Sequence, residues 1–479
     1  MKKYIVYIAL ILVGISCSDE FEQKPSFSLP GNESIKDLTT LNTAINGAYS
    51  ALVNRWGLAG DVALYADAKG GDVQMIDKSS NHLQPVVIYQ TDRNSGLSIE
   101  AYKQFSRMLA RVNSILDNVN NVSDKESNKE LYNDYLGQLY ALRALGHFEM
   151  ARLFAQIPSA AADVNAENSG IVINDKVYPF DAKFKRSTLK QTYDFIVADL
   201  KKSMELLSKE EKEASGKINY WAAEALLSRA YLYMNDNDNA LKHAANVIAN
   251  SPYKLYSIND YLTVWKKTGT SESLFEVLTT DKSSAQRNSL GYYTNPDGYP
   301  ECAASEDFKT WLTSQTTDIR SQSIREKAIN EGKNKGKNKG FYTIKYEGQE
   351  GASSPLYVNN FKVIRLSEVY LIAAEAKLKG GNAPDAKEAV WYYNGLRKNR
   401  LSDYANTDTT SVTLEEILDE RRREFFCENH RMYDMVRFRK EIKTSIFSEP
   451  LKYDDYRLLT AIPEREINIS PELKQNPNW

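Results

Sequence analysis

Tyr220–Pro252 reads YWAAEALLSRAYLYMNDNDNALKHAANVIANSP. Leu227, Ser228 and Tyr231, followed by Ala240, Ala244, Val247 and Pro252, fall at the spacing of a tetratricopeptide helix pair. Ser228, Ala240 and Ala244 are small, so two antiparallel helices can approach closely. Asn235 to Asn239 supplies the turn, because Asn and Asp side chains bond their own backbone. Asp236 and Asp238 suggest calcium at first sight. The loop has no glycine at the needed position and no closing glutamate, so the turn reading wins.

Helical spacing recurs outward from this pair. Between Asn133 and Phe154, Leu136, Tyr140, Ala144 and Phe148 repeat every fourth residue, and Leu139 and Leu142 widen the stripe. Ile157-Pro158 ends that helix. Another is predicted over Ile99 to Val119, with Phe105, Leu109, Val112 and Leu116 inward. A second pair is predicted over Leu366 to Lys398. There Ala373, Ala374, Ala376 and Leu378 precede a Gly380-Gly381-Asn382 turn, and Ala386, Val390 and Tyr393 follow. The repeats are degenerate and interrupted, so no regular solenoid is expected. Long non-helical stretches intervene at Ala59 to Ser98, Ser159 to Phe184 and Thr279 to Glu306, and segments of that length are usually functional or disordered. The expected fold is mainly α, a tetratricopeptide-like helix-pair scaffold with a loop-rich ligand-binding face.

Composition narrows the function. Hydrophobic residues make up 42% of 479, enough for a sizeable core. A formal charge of -2 gives no field to gather nucleic acid. The GKNKGKNKG run at Gly332 to Gly340 carries lysines without aromatics, which argues for a mobile surface loop rather than a nucleic-acid site. Tyr outnumbers Phe by 30 to 16, which suits either helix-pair interfaces or surfaces for amphipathic ligands such as sugars. Lys2, Lys3 and an apolar run from Tyr4 to Ile15 lead to Gly14-Ile15-Ser16-Cys17, in the manner of a bacterial lipobox. The run is shorter than the roughly 20 residues a membrane span needs. Cleavage before Cys17 would expose its thiol for acylation, and two chains anchor stably. The competing reading is an ordinary secretory signal cut near Ser16. An acidic leader, Ser18 to Glu22, follows. Only Cys302 and Cys427 remain, which excludes a disulfide scaffold and reads as two separate thiols.

Near the C-terminus Thr413-Leu414-Glu415-Glu416 is a capping box. Next comes ERRREFFCENHRMYDMVR, Glu420 to Arg437. Asn429 suits a left-handed helix-ending position. Glu420, Glu428 and Asp434 could be read as catalytic acids. Charges at helix spacing usually pair, and the preferred reading is a structural ion network of Arg421, Arg422, Glu428, Arg431 and Asp434.

This stretch resembles the C-terminal signature of the SusD/RagB family of outer-membrane nutrient-binding lipoproteins. Cys427 stands where the family usually has an aromatic, Asn429 where it has Gly and Met432 where it has Trp. Tyr135-Leu136-Gly137, Leu142-Arg143-Ala144 and Ala151 to Phe154 resemble the family's early helix. Val363 to Leu371 with Ala374-Glu375-Ala376 resembles its later one. Ile462-Pro463, Glu466 to Asn468, Pro471 and Gln475-Asn476-Pro477 fit its tail.

The resemblance implies a signal peptide over 1–16, a lipidated leader over 17–45, and two helical regions, 46–270 and 271–479, packed as one unit. It implies a lid on a SusC-like TonB-dependent barrel transporter. The lid is anchored in the outer membrane through Cys17, takes a glycan or other nutrient as ligand, and has no catalytic role, cofactor or metal. Family ligand residues are loop aromatics with polar neighbours. Tyr292, Tyr293 and Tyr299 around the Asn295-Pro296-Asp297-Gly298 turn are the foremost candidates, with Asp297 as a hydroxyl acceptor. Packing of that loop onto the scaffold is the alternative. Trp56, Tyr65, Asp67, Asp72 and Arg93 are further candidates. The four histidines are scattered without metal spacing, and no Walker loop, G-x-S-x-G or H-E-x-x-H occurs. Two other functions compete: a helical-repeat adaptor for a protein or peptide, and a polysaccharide hydrolase or lyase using Glu301 and Glu306.

Overall fold

A computed structural model gives the structure, which describes residues 34–77, 81–210, 216–407 and 409–479. The expected signal segment and Cys17 lie outside the described residues. The principal helices are α1 (Leu38–Ser50), α2 (Gly96–Asn118), α3 (Lys129–Phe154), α4 (Leu189–Leu206), α5 (Tyr220–Met234), α6 (Asn237–Asn250), α7 (Glu306–Thr313), α8 (Leu366–Leu378), α9 (Ala389–Arg397), α10 (Leu414–Glu424) and α11 (Arg431–Arg437). Their ends follow local chemistry. Asp37, Thr188 and Thr413 make full capping boxes at α1, α4 and α10. Asn235 turns left-handed (φ 61°) to end α5, and Asp236 then caps α6.

From α2 to α6 each helix packs on the next, and α1 lies against α2 and α3. The row does not stop at α6. Its next member is α8, which begins more than a hundred residues later and carries α9 and α10 on its far side. The turns of the two sequence-legible pairs latch together: Asn382 N–H donates to Asp238 (2.7 Å) and Asn237 donates to the Lys379 carbonyl (3.3 Å). Gly381 makes this possible, since a Cβ there would sit 2.7 Å from the carbonyls of both Ala376 and Asn237. Gly146 on α3 does the same for α2, where a Cβ would meet Met108 at 2.5 Å and Leu109 at 2.9 Å. Ser228, Ala240 and Ala244 are wholly buried.

Residues 251–365 leave the row and return to it. Among the described residues three short antiparallel pairs organise the excursion and its surroundings. The strands are β1 (Val73–Gln74), β2 (Ser273–Val277), β3 (Ala303–Ala304), β4 (Ile324–Lys327), β5 (Gly340–Thr343) and β6 (Phe361–Arg365), paired β1–β3, β2–β6 and β4–β5. The β2–β6 pair brings Val277 opposite Phe361, and β6 runs straight into α8. The excursion is thus closed near its stem, and the helical row continues almost undisturbed. One apolar core runs from Ile35 to Leu473, with a satellite of Tyr256, Tyr261, Val264, Trp265 and Ile344 under the excursion.

Two expectations change. Ala386 precedes α9 rather than belonging to it, because the turn after α8 runs on to Glu388. Ala59 to Ser98 is not an open loop. It holds the turns Asp61–Leu64 and Tyr65–Ala68, all of whose residues are buried. Gly332 to Asn334 form an exposed turn between β4 and β5, with Lys333, Lys335, Lys337 and Lys339 in solvent. Cys302 and Cys427 are free and buried, and burial pushes both thiols well up.

Candidate functional site

The C-terminal constellation is a buried electrostatic knot. Glu424 on α10 takes Arg365 (2.9 Å), Arg400 (3.0 Å) and Arg320 (3.1 Å), and all four side chains are essentially inaccessible. Glu272 pairs with Arg365 and with Arg400 (3.0 Å). Glu428 receives Arg365 (2.8 Å) and Lys345 (2.5 Å). Burial by itself would raise the Glu424 carboxyl, yet Arg400 and Arg365 hold it well below the usual carboxylate range. A second cluster joins Arg421 to Asp434 (2.8 Å), Asp434 to Arg437 (3.0 Å) and Arg437 to Glu375 of α8 (2.6 Å). Arg422 and Arg431 both reach Asp72 (2.6 and 3.0 Å). Every acid here is neutralised by its neighbours, so none stands as a general acid or nucleophile.

Several expected ligand residues serve this interior instead. Asp67 is fully buried and accepts the backbone N–H groups of Cys427 (2.9 Å) and Asn429 (2.6 Å). Both donors stand in left-handed conformation, at φ 61° and 64°. Asn429 in turn accepts from Ala66 N–H (2.9 Å). Burial raises the Asp67 carboxyl to about 7. Tyr65 is buried, donates to the Leu458 carbonyl (3.0 Å) and accepts from Lys69 (3.1 Å). Asp72 is held by its two arginines, and Tyr293 is buried with its hydroxyl on Asp61 (2.7 Å). Tyr65, Asp67, Asp72 and Tyr293 are therefore corrected from ligand residues to structural ones: their polar atoms are consumed inside the fold. Arg93 is exposed and lies 3.8 Å from Glu464. Glu301 is buried beneath the His82 and Leu83 N–H groups, whereas Glu306 is exposed and pairs with Lys309.

Tyr292 and Tyr299 have a different fate. Tyr299 N–H donates to the Tyr292 carbonyl (2.7 Å), while Asn295 accepts from Asp297 N–H (3.0 Å). This tight turn sets the two rings side by side, 5.3 Å apart at 55°, with Asp297 exposed at its tip. Tyr299 stacks on His82 (3.9 Å, 13°), and Tyr292 stacks on Tyr357 (5.3 Å, 23°). The result is a row, His82–Tyr299–Tyr292–Tyr357, in which every ring is half-buried. Arg287, exposed beside it, hydrogen-bonds Tyr357. At the other end Arg55 donates to the His82 carbonyl (3.2 Å), grips Asp61 (3.1 Å) and stacks over Trp56 (4.1 Å). Trp56 and the tyrosine turn, separate in sequence, thus share one continuous chain of contacts. Burial lifts the Asp61 carboxyl to about 6, against the pull of Arg55.

Such a row offers flat apolar faces bordered by hydroxyl, carboxylate and guanidinium groups, the pattern that grips a sugar ring by its C–H face and its hydroxyls. His82, Arg55, Arg287 and Tyr357 carry no sequence signal of this role, apart from Arg55 adjoining Trp56. Among the described residues no group of His, Cys, Asp and Glu could hold a metal, and no helix is long and apolar enough to cross a membrane.

Two family profiles match the chain: one described as starch-binding associating with outer membrane, over residues 25–232, and one described as SusD family, over 305–479. A crystal structure from Bacteroides vulgatus ATCC 8482 superposes at TM-score 0.82 with 30% identity, covering 93% of this chain and 99% of that one. A SusD superfamily protein from Bacteroides thetaiotaomicron VPI-5482 superposes at 0.84 with 29% identity, covering 92% of this chain and all of that one (100%). SusD-like protein P2 of Formosa agariphila is 24% identical, with both chains covered fully (100%).

Proposed function

We propose, from the premise that this chain belongs to the SusD/RagB family of carbohydrate-binding proteins, that it is a surface lipoprotein handing a glycan to an outer-membrane pore. Residues 1–16 are removed and Cys17 carries the lipid. The helical row seats on a SusC-like TonB-dependent transporter as its lid, and the ligand is an oligosaccharide or a related nutrient. The protein binds and releases; it does not cut.

The observation that carries this reading is the row His82–Tyr299–Tyr292–Tyr357. Its rings hold one another by stacking, so little side-chain freedom remains to be lost on binding. Asp297 and Arg287 border the rings with an acceptor and a donor for hydroxyls. Of the two acids considered for a hydrolase, Glu301 is buried and bound to backbone N–H groups, and Glu306 is exposed in an ion pair with Lys309, so the two do not face each other across one site as a catalytic pair would.

Affinity electrophoresis against a broad polysaccharide panel tests the binding step. At least one polymer should retard the protein, and Tyr299→Ala should sharply weaken that retardation. Absence of retardation across the panel overturns the glycan reading. Product release from any polymer overturns the non-catalytic one. Mass spectrometry of the native protein should find acyl chains on Cys17, and purification from membranes should bring a large barrel with it.

A further inference from the structure

The chain between α3 and α4 bounds a cleft of about 900 Å³ against the first turns of α4, within the size range of ligand sites. It shares no residue with the aromatic row. Tyr178, Phe184 and Phe195 line it, each half-buried. Tyr178 and Phe184 meet edge to face (5.1 Å, 76°), so one ring presents a platform and the other a wall. Gln191, Asp194 and Lys185 supply polar groups on the same lining. Two residues beyond Tyr178, the Phe180 side chain is fully exposed at 104%.

Slackness does not explain that exposure. Asn113 of α2 donates to the carbonyls of Asn174 (2.9 Å) and Lys176 (3.1 Å). Arg143 of α3 donates to the Asp175 carbonyl (2.8 Å), and Asn174 N–H donates to His147 (2.9 Å). On the far side Arg186 is tied to the Gly170 carbonyl (2.7 Å). The stem is pinned at both ends, and the loop holds an unburied aromatic ring in water next to an aromatic cleft. With Val177, 54% exposed, Phe180 forms a small apolar patch on this loop.

We infer that this cleft is a second saccharide site, one that takes a pyranose chain with its C–H faces on Tyr178 and Phe184 and its hydroxyls toward Gln191 and Asp194, the exposed Phe180 ring extending it along the loop. The inference rests on the reading of the chain as a glycan binder. A polymer already held on the aromatic row would meet the cleft at high effective concentration. Two modest sites on one chain then hold a repeating ligand far better than either alone.

The test compares wild type, Phe180→Ala, Phe180→Ala with Tyr178→Ala, and Tyr299→Ala. It uses whichever panel polymer retards the wild type, plus calorimetric titration with oligosaccharides cut from it. Phe180 touches nothing, so its removal leaves thermal stability unchanged. The cleft variants should weaken polymer binding roughly 10- to 100-fold. Oligosaccharide stoichiometry should fall from about two to about one, with the row still occupied. Tyr299→Ala should leave the cleft as the residual site. Unchanged polymer affinity in both cleft variants, or a wild-type stoichiometry of one, overturns the inference and spares the proposed function. A wild type that binds nothing in the panel overturns both.

Discussion

Two interfaces of this molecule join comparable amounts of structure by opposite means. Between α5 and α6 the contact is made by Leu227, Ser228, Ala240, Ala244 and Val247, all inaccessible and almost all apolar. Between the excursion 251–365 and α10 it is made by Arg320, Arg365, Glu272 and Glu424, together with Arg400, equally inaccessible and all charged. An apolar interface is specified by volume, so similar sizes can be exchanged at modest cost. A charged one is specified by partners: the desolvation of each ion is offset only while its counter-ions stay in place. The helical row can therefore be degenerate in sequence and still form. The knot that holds the loop-rich half tolerates no single loss.

Glu424→Ala breaks that comparison most severely. It leaves Arg320, Arg365 and Arg400 short of a shared carboxylate, and stability to urea should fall by about 3–5 kcal/mol. Ala244→Leu tests the other interface by overfilling it. A loss of about 1–3 kcal/mol is expected by the same measurement, with helical circular dichroism retained. If Ala244→Leu costs more than Glu424→Ala, the distinction drawn here is wrong.

Acid sharpens the picture of the charged interior, because two of its buried acids titrate with opposite sign. Glu375 joins α8 to Arg437. Burial opposes its ionisation, yet Arg437 and Lys379 bring it down to about 2 from an ordinary 4.5. The unfolded chain takes up that proton first. This staple is thus fully present above about 4.5 and is lost as pH falls toward 2. Asp67 goes the other way: burial raises it from 3.8 to about 7, so the folded state binds the proton more tightly and its contribution declines as pH rises from about 4 to 7. Urea midpoints measured against pH should lose their acid-side slope in Glu375→Gln. They should lose part of the decline toward neutrality in Asp67→Asn.

The smallest structural effect belongs to the aromatic row proposed as the ligand site. Tyr357→Ala should leave the thermal midpoint within a few degrees while weakening glycan binding about tenfold, because one half-buried ring contributes roughly 0.5–1.5 kcal/mol beyond its area.

Much of the scaffold was legible before any coordinates. Thr413 with Glu416 and the Asn235 turn are decided within a few residues, and each stands where local chemistry puts it; Asn429 is left-handed as expected, but it lies beyond α10, which ends at Glu424, because its amide is held by Asp67 rather than by a helix end. The aromatic turn was legible too, as far as Tyr292, Tyr299 and Asp297. Its partners were not. His82 is 206 residues from the Asn288 that hydrogen-bonds it, and nothing near Tyr357 marks it for stacking. Tyr293 adjoins Tyr292 yet faces inward to Asp61, a choice made by the direction of one short helix, Leu290–Tyr293.

By itself the sequence determined the helices, their caps, their small-residue contact faces and the likeness to a lipoprotein family, since periodicity and capping act over a turn or two of chain. Only the tertiary structure decided which acids and tyrosines are consumed inside and which stay at the surface. Asp67 is satisfied by backbone 360 residues away. Whether a polar group meets solvent or a partner depends on what folds against it, and no local pattern encodes that.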